Sequence, residues 1–579
     1  MAIIRTAGDF IAKFLEMRGV EVVFESCGLA CPAVLDGLTG TRIRYVRAHS
    51  HACATHAADG YFRVTHKPGV VLLRVGPGSA NRVATGVATA ALDCSAMVVI
   101  AGHIPDSMRS KDSDGVFQLH ADGSLLETCV PFAKKAWRVQ DPAMLPDILS
   151  SAFGMAVMSP PGPVLVDFPV DMLSRPLEGP VLDAAAGHAR GRPSGDPVEV
   201  ERALDILWRA ERPVIHAGGG VNLADAHHQL RQFIEVTGIP AVTTIMGKGV
   251  IPEDHPLCFG PTGLFGSPVA NRLTREADVI LAIGSRFSEV DSSSWIPGQT
   301  FTIPPTKLIQ IDIDPREIGK IYPVALGIQG DAGAVLQQLL DGVADRQRTQ
   351  RTQRTRPTDR VVHIQQYRRA YQEWFTSEIG RHQQSKARPI RPERILWELR
   401  RVLPRDGILL TDTGGIKFGV AQQFPFFEPR TQLTAGGCAT VGFGLAAAIG
   451  AKVGAPAKPV VAIVQDRAVA FGLVGPAVAT AVECGLGVIW LIMHDDSLDG
   501  TQENHISQTS GTESLGGGSR ETYNRDLAKV GETYGAHGRR IEDPEELAPA
   551  LAEAIRRDEP TVLNVFFDQR VRVPASWEP

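Results

Sequence analysis

Two acidic residues stand just past two apolar runs in the last third of the chain, Asp466 after residues 460–464 and Asp495 after residues 488–493. The first run, Val460-Val461-Ala462-Ile463-Val464, is β-branched and too short for a helix, and Val488-Ile489-Trp490-Leu491-Ile492-Met493 is of the same kind. Both read as buried strands. Between them the apolar spacing lengthens through Phe471, Val474, Val478 and Val482 to Gly485, which predicts a helix closed by that glycine. In an open parallel sheet, ligands gather beyond the strand carboxyl ends, so Asp466 and Asp495 are expected to converge on one edge. Two hard oxygen ligands near a helix start suit a Mg²⁺ ion that keeps waters and grips a diphosphate. Each aspartate could equally do no more than cap a helix or a turn.

A second dense segment is His49-Ser50-His51-Ala52-Cys53-Ala54-Thr55-His56. Cys27, Cys31, His49, His51 and Cys53 could border one pocket, and soft sulfurs with imidazoles can bind Zn²⁺. Their spacings match no standard zinc motif, and packing of small residues accounts for them as well. Gly76-Pro77-Gly78, after the apolar residues 70–73, permits a tight turn before a helix from Asn81. Gly218-Gly219-Gly220, just after residues 213–215, is the kind of turn over which a dinucleotide can lie.

The elements that must position these groups alternate strand and helix. Thr6, with Asp9 three residues on, can cap a first helix whose buried stripe is Phe10, Ile11, Phe14 and Leu15, and Gly19 ends it. Strands are expected at residues 20–24, 44–46, 70–73, 97–100 and 164–167, then at 213–215, 279–283 and 308–311. That pattern predicts an α/β chain of three doubly wound parallel sheets. The expected boundaries are a first domain at 1–178, a Gly/Pro/Ala linker at 179–197 and a middle domain at 198–340. A linker at 341–360 and a last domain at 361–579 complete the chain. The arginine-studded tract 346–356 reads as solvated linker.

With 579 residues, 44 % hydrophobic and 21 % charged, the chain has material for about three globular domains. A net charge of −5 offers no footprint for nucleic acid. No apolar run reaches membrane-helix length, and Met1-Ala2-Ile3-Ile4-Arg5 is not a signal peptide, so no membrane partner and a cytoplasmic location are expected. Eight cysteines without zinc-ribbon spacing read as reduced core thiols.

The order of the strings His56-Ala57-Ala58-Asp59-Gly60-Tyr61, Gly76-Pro77-Gly78, Phe117-Gln118, Gly284-Ser285-Arg286-Phe287, Ile311-Asp312-Ile313-Asp314-Pro315 and Gly442-Phe443-Gly444-Leu445 resembles the acetolactate-synthase branch of the thiamine-diphosphate (ThDP) enzymes. The resemblance covers nearly the whole chain. It implies a pyrimidine-binding first domain, a middle domain and a diphosphate-binding last domain, with active sites shared in a homodimer or homotetramer. It also implies that Gly436 and Gly437 present backbone groups to the cofactor's amino group and that Val441 lies beneath the bent cofactor. By the same resemblance Asn81 approaches from the first domain, Gln118 reaches the substrate carbonyl, and Asp466 and Asp495 hold Mg²⁺. Several positions depart from the family pattern. His51 stands where the family has a glutamate that protonates the pyrimidine. It could serve as a replacement donor or be a relic of a lost proton relay. Gln465-Asp466-Arg467 replaces Gly-Asp-Gly, and His494-Asp495 replaces paired asparagines. Arg467 could therefore pair with a phosphate, fill its space, or neutralise the two aspartates.

In the middle domain Gly219, Gly220, Met246, Arg286 and Asp312 resemble residues with which flavin-binding members contact FAD, whereas Phe265 departs from a histidine. The leading expectation is a ThDP-dependent lyase or carboligase for a small 2-oxo acid or related carbonyl substrate. His51 and Gln118 would be its catalytic residues. The alternatives are a member that has abandoned ThDP for flavin-dependent or cofactor-free chemistry centred on His51, and a non-catalytic subunit. The Gly/Ser-rich segment 511–518 is expected to form part of a lid.

Overall fold

The computed structural model describes residues 6–26, 31–74, 77–103, 105, 124–177, 191–349, 358–470, 472–494, 526–574 and 576. Its strands are β1 (Val22–Ser26), β2 (Arg44–Ala48), β3 (Gly69–Arg74), β4 (Met97–His103), β5 (Lys135–Arg138) and β6 (Pro163–Pro169), then β7 (Pro213–Ala217), β8 (Ala241–Thr243), β9 (Cys258–Pro261), β10 (Val279–Ile283), β11 (Lys307–Asp312) and β12 (Leu326–Gln329), and finally β13 (Ile408–Thr411), β14 (Gln432–Thr434), β15 (Val460–Gln465), β16 (Val488–His494), β17 (His537–Ile541) and β18 (Thr561–Phe566). They form three six-stranded sheets, ordered β2-β1-β3-β4-β6-β5, β12-β11-β10-β7-β8-β9 and β14-β13-β15-β16-β18-β17. Within each sheet the paired strands run parallel. The expected α/β class is observed. Apolar runs such as 97–101 and 488–493 are buried on both faces because helices cover both sides of a parallel sheet.

The first and last domains share one apolar layer. It joins Val71, Leu73, Val99 and Ala101 of the first sheet to Leu410, Val460, Ala462 and Trp490 of the last. Helix His51–Thr65 crosses helix Phe443–Gly454 at the centre of this layer. The backbones approach so closely that a β-carbon added at Gly60 would lie 2.1 Å from the Ala447 carbonyl oxygen, and one at Gly450 only 1.7 Å from that of Ala57. Separate clusters fill the outer faces of the two sheets and both faces of the middle one.

Several local expectations shift. Thr6 and Asp9 form the reciprocal capping box that opens helix Ala7–Met17. The helix expected from Asn81 starts earlier, at Pro77, since proline suits a first helical turn. The helix expected from Phe471 is Val474–Cys484, closed by left-handed Gly485, and a short helix Asp466–Ala470 precedes it; Phe471 is outside the described residues. The expected linker 341–360 is not all linker. Helix Ala332–Thr349 runs into it because Arg346 is tied to Glu201 and Asp205 of helix Pro197–Arg209 and lies over Trp208. The short β5, β8, β9, β12, β13, β14, β17 and β18 were not marked by apolar runs long enough to stand out.

Candidate functional site

At the carboxyl edge of the last sheet, β13 delivers Asp412, which is buried. Its carboxylate accepts backbone N–H groups of Thr413 at 2.7 Å, Gly442 at 2.9 Å and Gly444 at 3.0 Å. Burial raises its pKa to about 6 against the pull of those three donors. Asp412 thereby ties the 435–442 loop to the strand end, and Gly442 takes the left-handed conformation (φ 91°) that the loop's exit requires.

Beside it, β15 and β16 pair with Gln465 opposite Met493, so Asp466 and His494 stand next to one another. His494 Nδ1 lies 3.3 Å from Asp466 Oδ2. The described neighbour of Asp466 is therefore an imidazole; Asp495, the expected second carboxylate, lies outside the described residues, as does the side chain of Arg467. Among the described residues no group of three or more His, Cys, Asp or Glu could hold a metal ion. Gln465 reaches across to the β13 turn, where a β-carbon on Gly414 (φ 124°) would meet its Oε1 at 1.9 Å. The glutamine expected to replace the family's first glycine thus puts an amide side chain on this side of the edge.

The Gly436-Gly437 strap is held from the first domain. Asp93 accepts the Gly436 N–H at 3.0 Å and the Gly437 N–H at 2.6 Å. Arg63 donates to Asp93 at 2.8 Å, to Asp59 at 2.7 Å and to the Thr434 carbonyl at 2.6 Å. Lys417, buried, donates to the Ala435 carbonyl at 2.7 Å, and burial lowers its pKa. The middle domain adds Met246, whose sulfur would lie 2.4 Å from a β-carbon on Gly436. The strap's N–H groups are thus committed, and among the described residues its carbonyls accept no hydrogen bond. Val441 is partly buried against the shared layer. Asp412, Asp93, Arg63 and Lys417 escaped the sequence reading. Arg63 and Asp59 lay inside or beside a quoted string, but Lys417 carries no sequence signal, because only burial distinguishes it from a surface lysine.

His51 is the first residue of helix His51–Thr65, at the carboxyl edge of the first sheet. Its Nε2 lies 3.0 Å from the Arg74 carbonyl oxygen. A carbonyl only accepts, so Nε2 carries the hydrogen. Burial lowers the His51 pKa, leaving a neutral ring whose Nδ1 is an acceptor. Asn81 is exposed on helix Pro77–Leu92, and Gln118 is outside the described residues. Arg63, which grips the strap, sits three turns beyond His51 on the same helix, about 18 Å away at 1.5 Å per residue. One chain therefore gathers Gly436, Gly437, Val441 and Asp466 on one edge and holds His51 and Asn81 at the far end of the crossing helices. The cysteine–histidine cluster is divided too. Cys31 packs on the outer face of the first sheet and Cys53 on the inner one, while His49 pairs with Glu483 at 3.0 Å. Cys27 is outside the described residues.

In the middle domain the order counted from β7 is 3-2-1-4-5-6, that of dinucleotide-binding sheets, whose ligand crosses at the order reversal between β7 and β10. Gly218 and Gly220 interlock there with Gly284, since β-carbons on them would lie 2.2 Å from its oxygen and 2.7 Å from its Cα. A cleft opens beyond, lined by Gly220, Gly284, Asp312, Asp331 and, from the first domain, Phe62 and Pro160. Burial raises the Asp312 pKa to about 6. Arg286 is exposed at the same edge. Gly219 and Met246 instead face each other, and Met246 bridges to Gly436. Phe265 stacks on Phe418 with ring centroids 3.4 Å apart, so no third ring fits between them.

Three family models match the chain: the N-terminal TPP binding domain of thiamine pyrophosphate enzymes over residues 5–125, their central domain over 200–339 and their C-terminal TPP binding domain over 412–565. The chain is 32 % identical to a probable acetolactate synthase large subunit of Methanocaldococcus jannaschii, across 98 % of this chain and 92 % of that protein. It is 33 % identical to a probable acetolactate synthase large subunit of Methanococcus aeolicus, across 97 % and 92 %. For the acetolactate synthase isozyme 3 large subunit of Escherichia coli the figures are 29 %, 95 % and 92 %. The chain belongs to the thiamine pyrophosphate (thiamine diphosphate) enzymes, in the branch of the acetolactate synthase large subunits.

Proposed function

We propose that the protein is a ThDP-dependent carboligase or lyase acting on a small 2-oxo acid, with pyruvate the first substrate to test. The comparisons favour neither a cofactor-free enzyme nor a non-catalytic subunit. The observation that carries the reading is the strap at Gly436-Gly437, held by Asp93, Arg63 and Lys417, whose carbonyls accept no hydrogen bond among the described residues. That arrangement fits an aminopyrimidine. When bound, ThDP supplies a thiazolium carbanion that adds to the 2-oxo carbonyl and holds the electrons released with carbon dioxide. The Gly436 and Gly437 carbonyls would orient the amino group. Val441 would support the ring and Gln118 would orient the substrate. His51 keeps its Nε2 proton on the Arg74 carbonyl and offers Nδ1 as an acceptor, so it can bind a donor but cannot give a proton while neutral.

Magnesium would be held by Asp466 with Asp495, which requires the His494 imidazole to give up its place beside Asp466. FAD would lay its adenosine half in the Asp312 cleft, with Gly220, Gly284 and Arg286 beside it. The Phe265–Phe418 stack would exclude the flavin ring from between those two side chains. A homodimer or homotetramer with shared sites would fit the placement of His51 about 18 Å, or three helical turns, along its helix from Arg63, because a second copy docked with the opposite sense would bring His51 of one subunit to the strap of the other. No helix among the described residues is long and apolar enough to cross a membrane. We place the protein in the cytoplasm on its buried free thiols.

Titration of the purified protein with ThDP, with and without Mg²⁺, followed by incubation with pyruvate tests the reading. Saturable binding with release of carbon dioxide and a ligated product is expected, and absence of binding sinks it. Flavin absorbance of the purified protein tests the FAD assignment separately.

A further inference from the structure

The middle sheet reverses its strand order between β7 and β10, and the two sides of that reversal differ. Toward β11 and β12 it is open. A cleft of about 570 Å³, counting its mouth, lies over the carboxyl ends of those strands, within the roughly 300–1,000 Å³ usual for small-molecule sites. Phe62 and Pro160 of the first domain and Leu223 of the middle domain give it apolar walls, while Gly220, Gly284 and Asp312 line its sheet side. Asp312 is only 8 % exposed. One of its oxygens accepts the Asp314 N–H at 3.0 Å, and the other accepts no hydrogen bond among the described residues. Arg286, exposed and two residues beyond Gly284, acts on that carboxylate through its charge.

Toward β8 and β9 the reversal is closed. The chain that leaves β10 passes the end of β7 and is stitched to the loops that follow β8 and β9. Asp291, 7 % exposed, accepts the Ile245 N–H at 2.8 Å and the Ser288 hydroxyl at 2.6 Å, and its carbonyl accepts the Thr262 hydroxyl at 3.1 Å. The Leu264 N–H donates to the Val290 carbonyl at 2.8 Å, and a β-carbon on Gly263 would lie 2.0 Å from that same oxygen. Met246 lies against Gly219 on one side and Gly436 on the other. A dinucleotide straddles such a reversal with one half on each side. Here a ring carried past β7 would have to break those stitches and dislodge a buried carboxylate.

We propose that the Asp312 cleft binds a single nucleoside diphosphate rather than a flavin dinucleotide. The proposal rests on the placement of an adenosine half given above and drops the flavin half. Charge sets the ligand's direction. The diphosphate lies away from Asp312 and toward Arg286, over the bare backbone at Gly220 and Gly284. The ribose hydroxyls donate to the open oxygen of Asp312, which as a carboxylate can only accept. The base lies against Phe62 and Pro160. Those two belong to the first domain and Asp312 to the middle one, so the ligand braces the two domains.

Isothermal titration of the purified protein with ADP, in the absence of ThDP and Mg²⁺, tests the site. One saturable ADP per chain is expected, with an affinity undiminished when ThDP and Mg²⁺ are added. Arg286→Gln should weaken ADP about tenfold or more while leaving adenosine, which has no phosphate, unchanged. Asp312→Ala should weaken ADP and adenosine alike, again about tenfold or more. FAD should bind no tighter than ADP, its visible bands unshifted from those of free FAD because the ring stays in solvent. FAD that binds more tightly with shifted bands, or that accompanies the protein through purification, overturns the proposal. ADP that fails to bind, that ThDP displaces, or that binds both variants as well as wild type overturns it too. If Asp312→Ala loses its melting transition, Arg286→Gln decides the outcome. Absence of ThDP binding defeats the thiamine reading alone, and the ADP titration still decides this one.

Discussion

Counted from its own first strand, each outer sheet runs 2-1-3-4-6-5, yet the two carboxyl edges are furnished differently. The last sheet ends in Asp412 and Asp466, with glycines at 414, 436, 437 and 442 that keep the backbone bare. The first ends in imidazoles, His51 on a carbonyl and His103 on a buried carboxylate. Helices His51–Thr65 and Phe443–Gly454 cross in backbone contact between the two sheets. Two sheets of one strand order thus carry different side chains at the same edge: acids and bare backbone in the last, imidazoles in the first.

The sharpest way to break this comparison is to inactivate each half separately. His51→Ala and Asp466→Ala should each lose activity alone. Mixed and reassociated they should recover to about a quarter of wild type, because half the dimers are hybrids with one intact site of two. No recovery would place each site within one chain. Asp93→Ala should cost about 3 kcal/mol, since it strips one partner from buried Arg63 and frees the strap. Thermal unfolding measures the loss, and ThDP affinity should fall with it.

A proton distinguishes the last sheet's edge. Asp412 holds its proton more tightly folded than unfolded, so the stability it contributes is present below about pH 4 and lost as pH rises through about 6. Asp412→Asn should remove roughly 2–3 kcal/mol of that pH dependence, read as a flatter denaturation midpoint against pH than wild type. The smallest expected effect is at the crossing itself. Gly450→Ala should destabilise by about 2 kcal/mol, because the added methyl meets the Ala57 carbonyl. A neutral result in calorimetry would mean the helices can separate at little cost, and the edges with them.

Much of this was legible beforehand, and the limits follow from what a side chain reports. The runs 279–283, 460–464 and 488–493 became strands because β-branched apolar residues bounded by turns have few other uses. Thr6 capped its helix because the cap lies within four residues of its partner. Edge strands such as β5 and β17, half exposed and rich in lysine or arginine, lack the apolar run that marks a buried strand. Asp466 was rightly placed at a strand end, but its described neighbour is His494, since strand register alone decides who stands beside it.

By itself the sequence determined the α/β class, the three-part order and the family, because periodicity and ordered short strings are local properties. Only the tertiary structure decided that Asp93 holds the strap, that Lys417 is buried, that His103 meets Asp167 on the neighbouring strand, and that His51 bonds the Arg74 carbonyl. Those pairings join residues far apart in the chain. Their physical cause is the packing of one sheet's helices against another's, which no local pattern records.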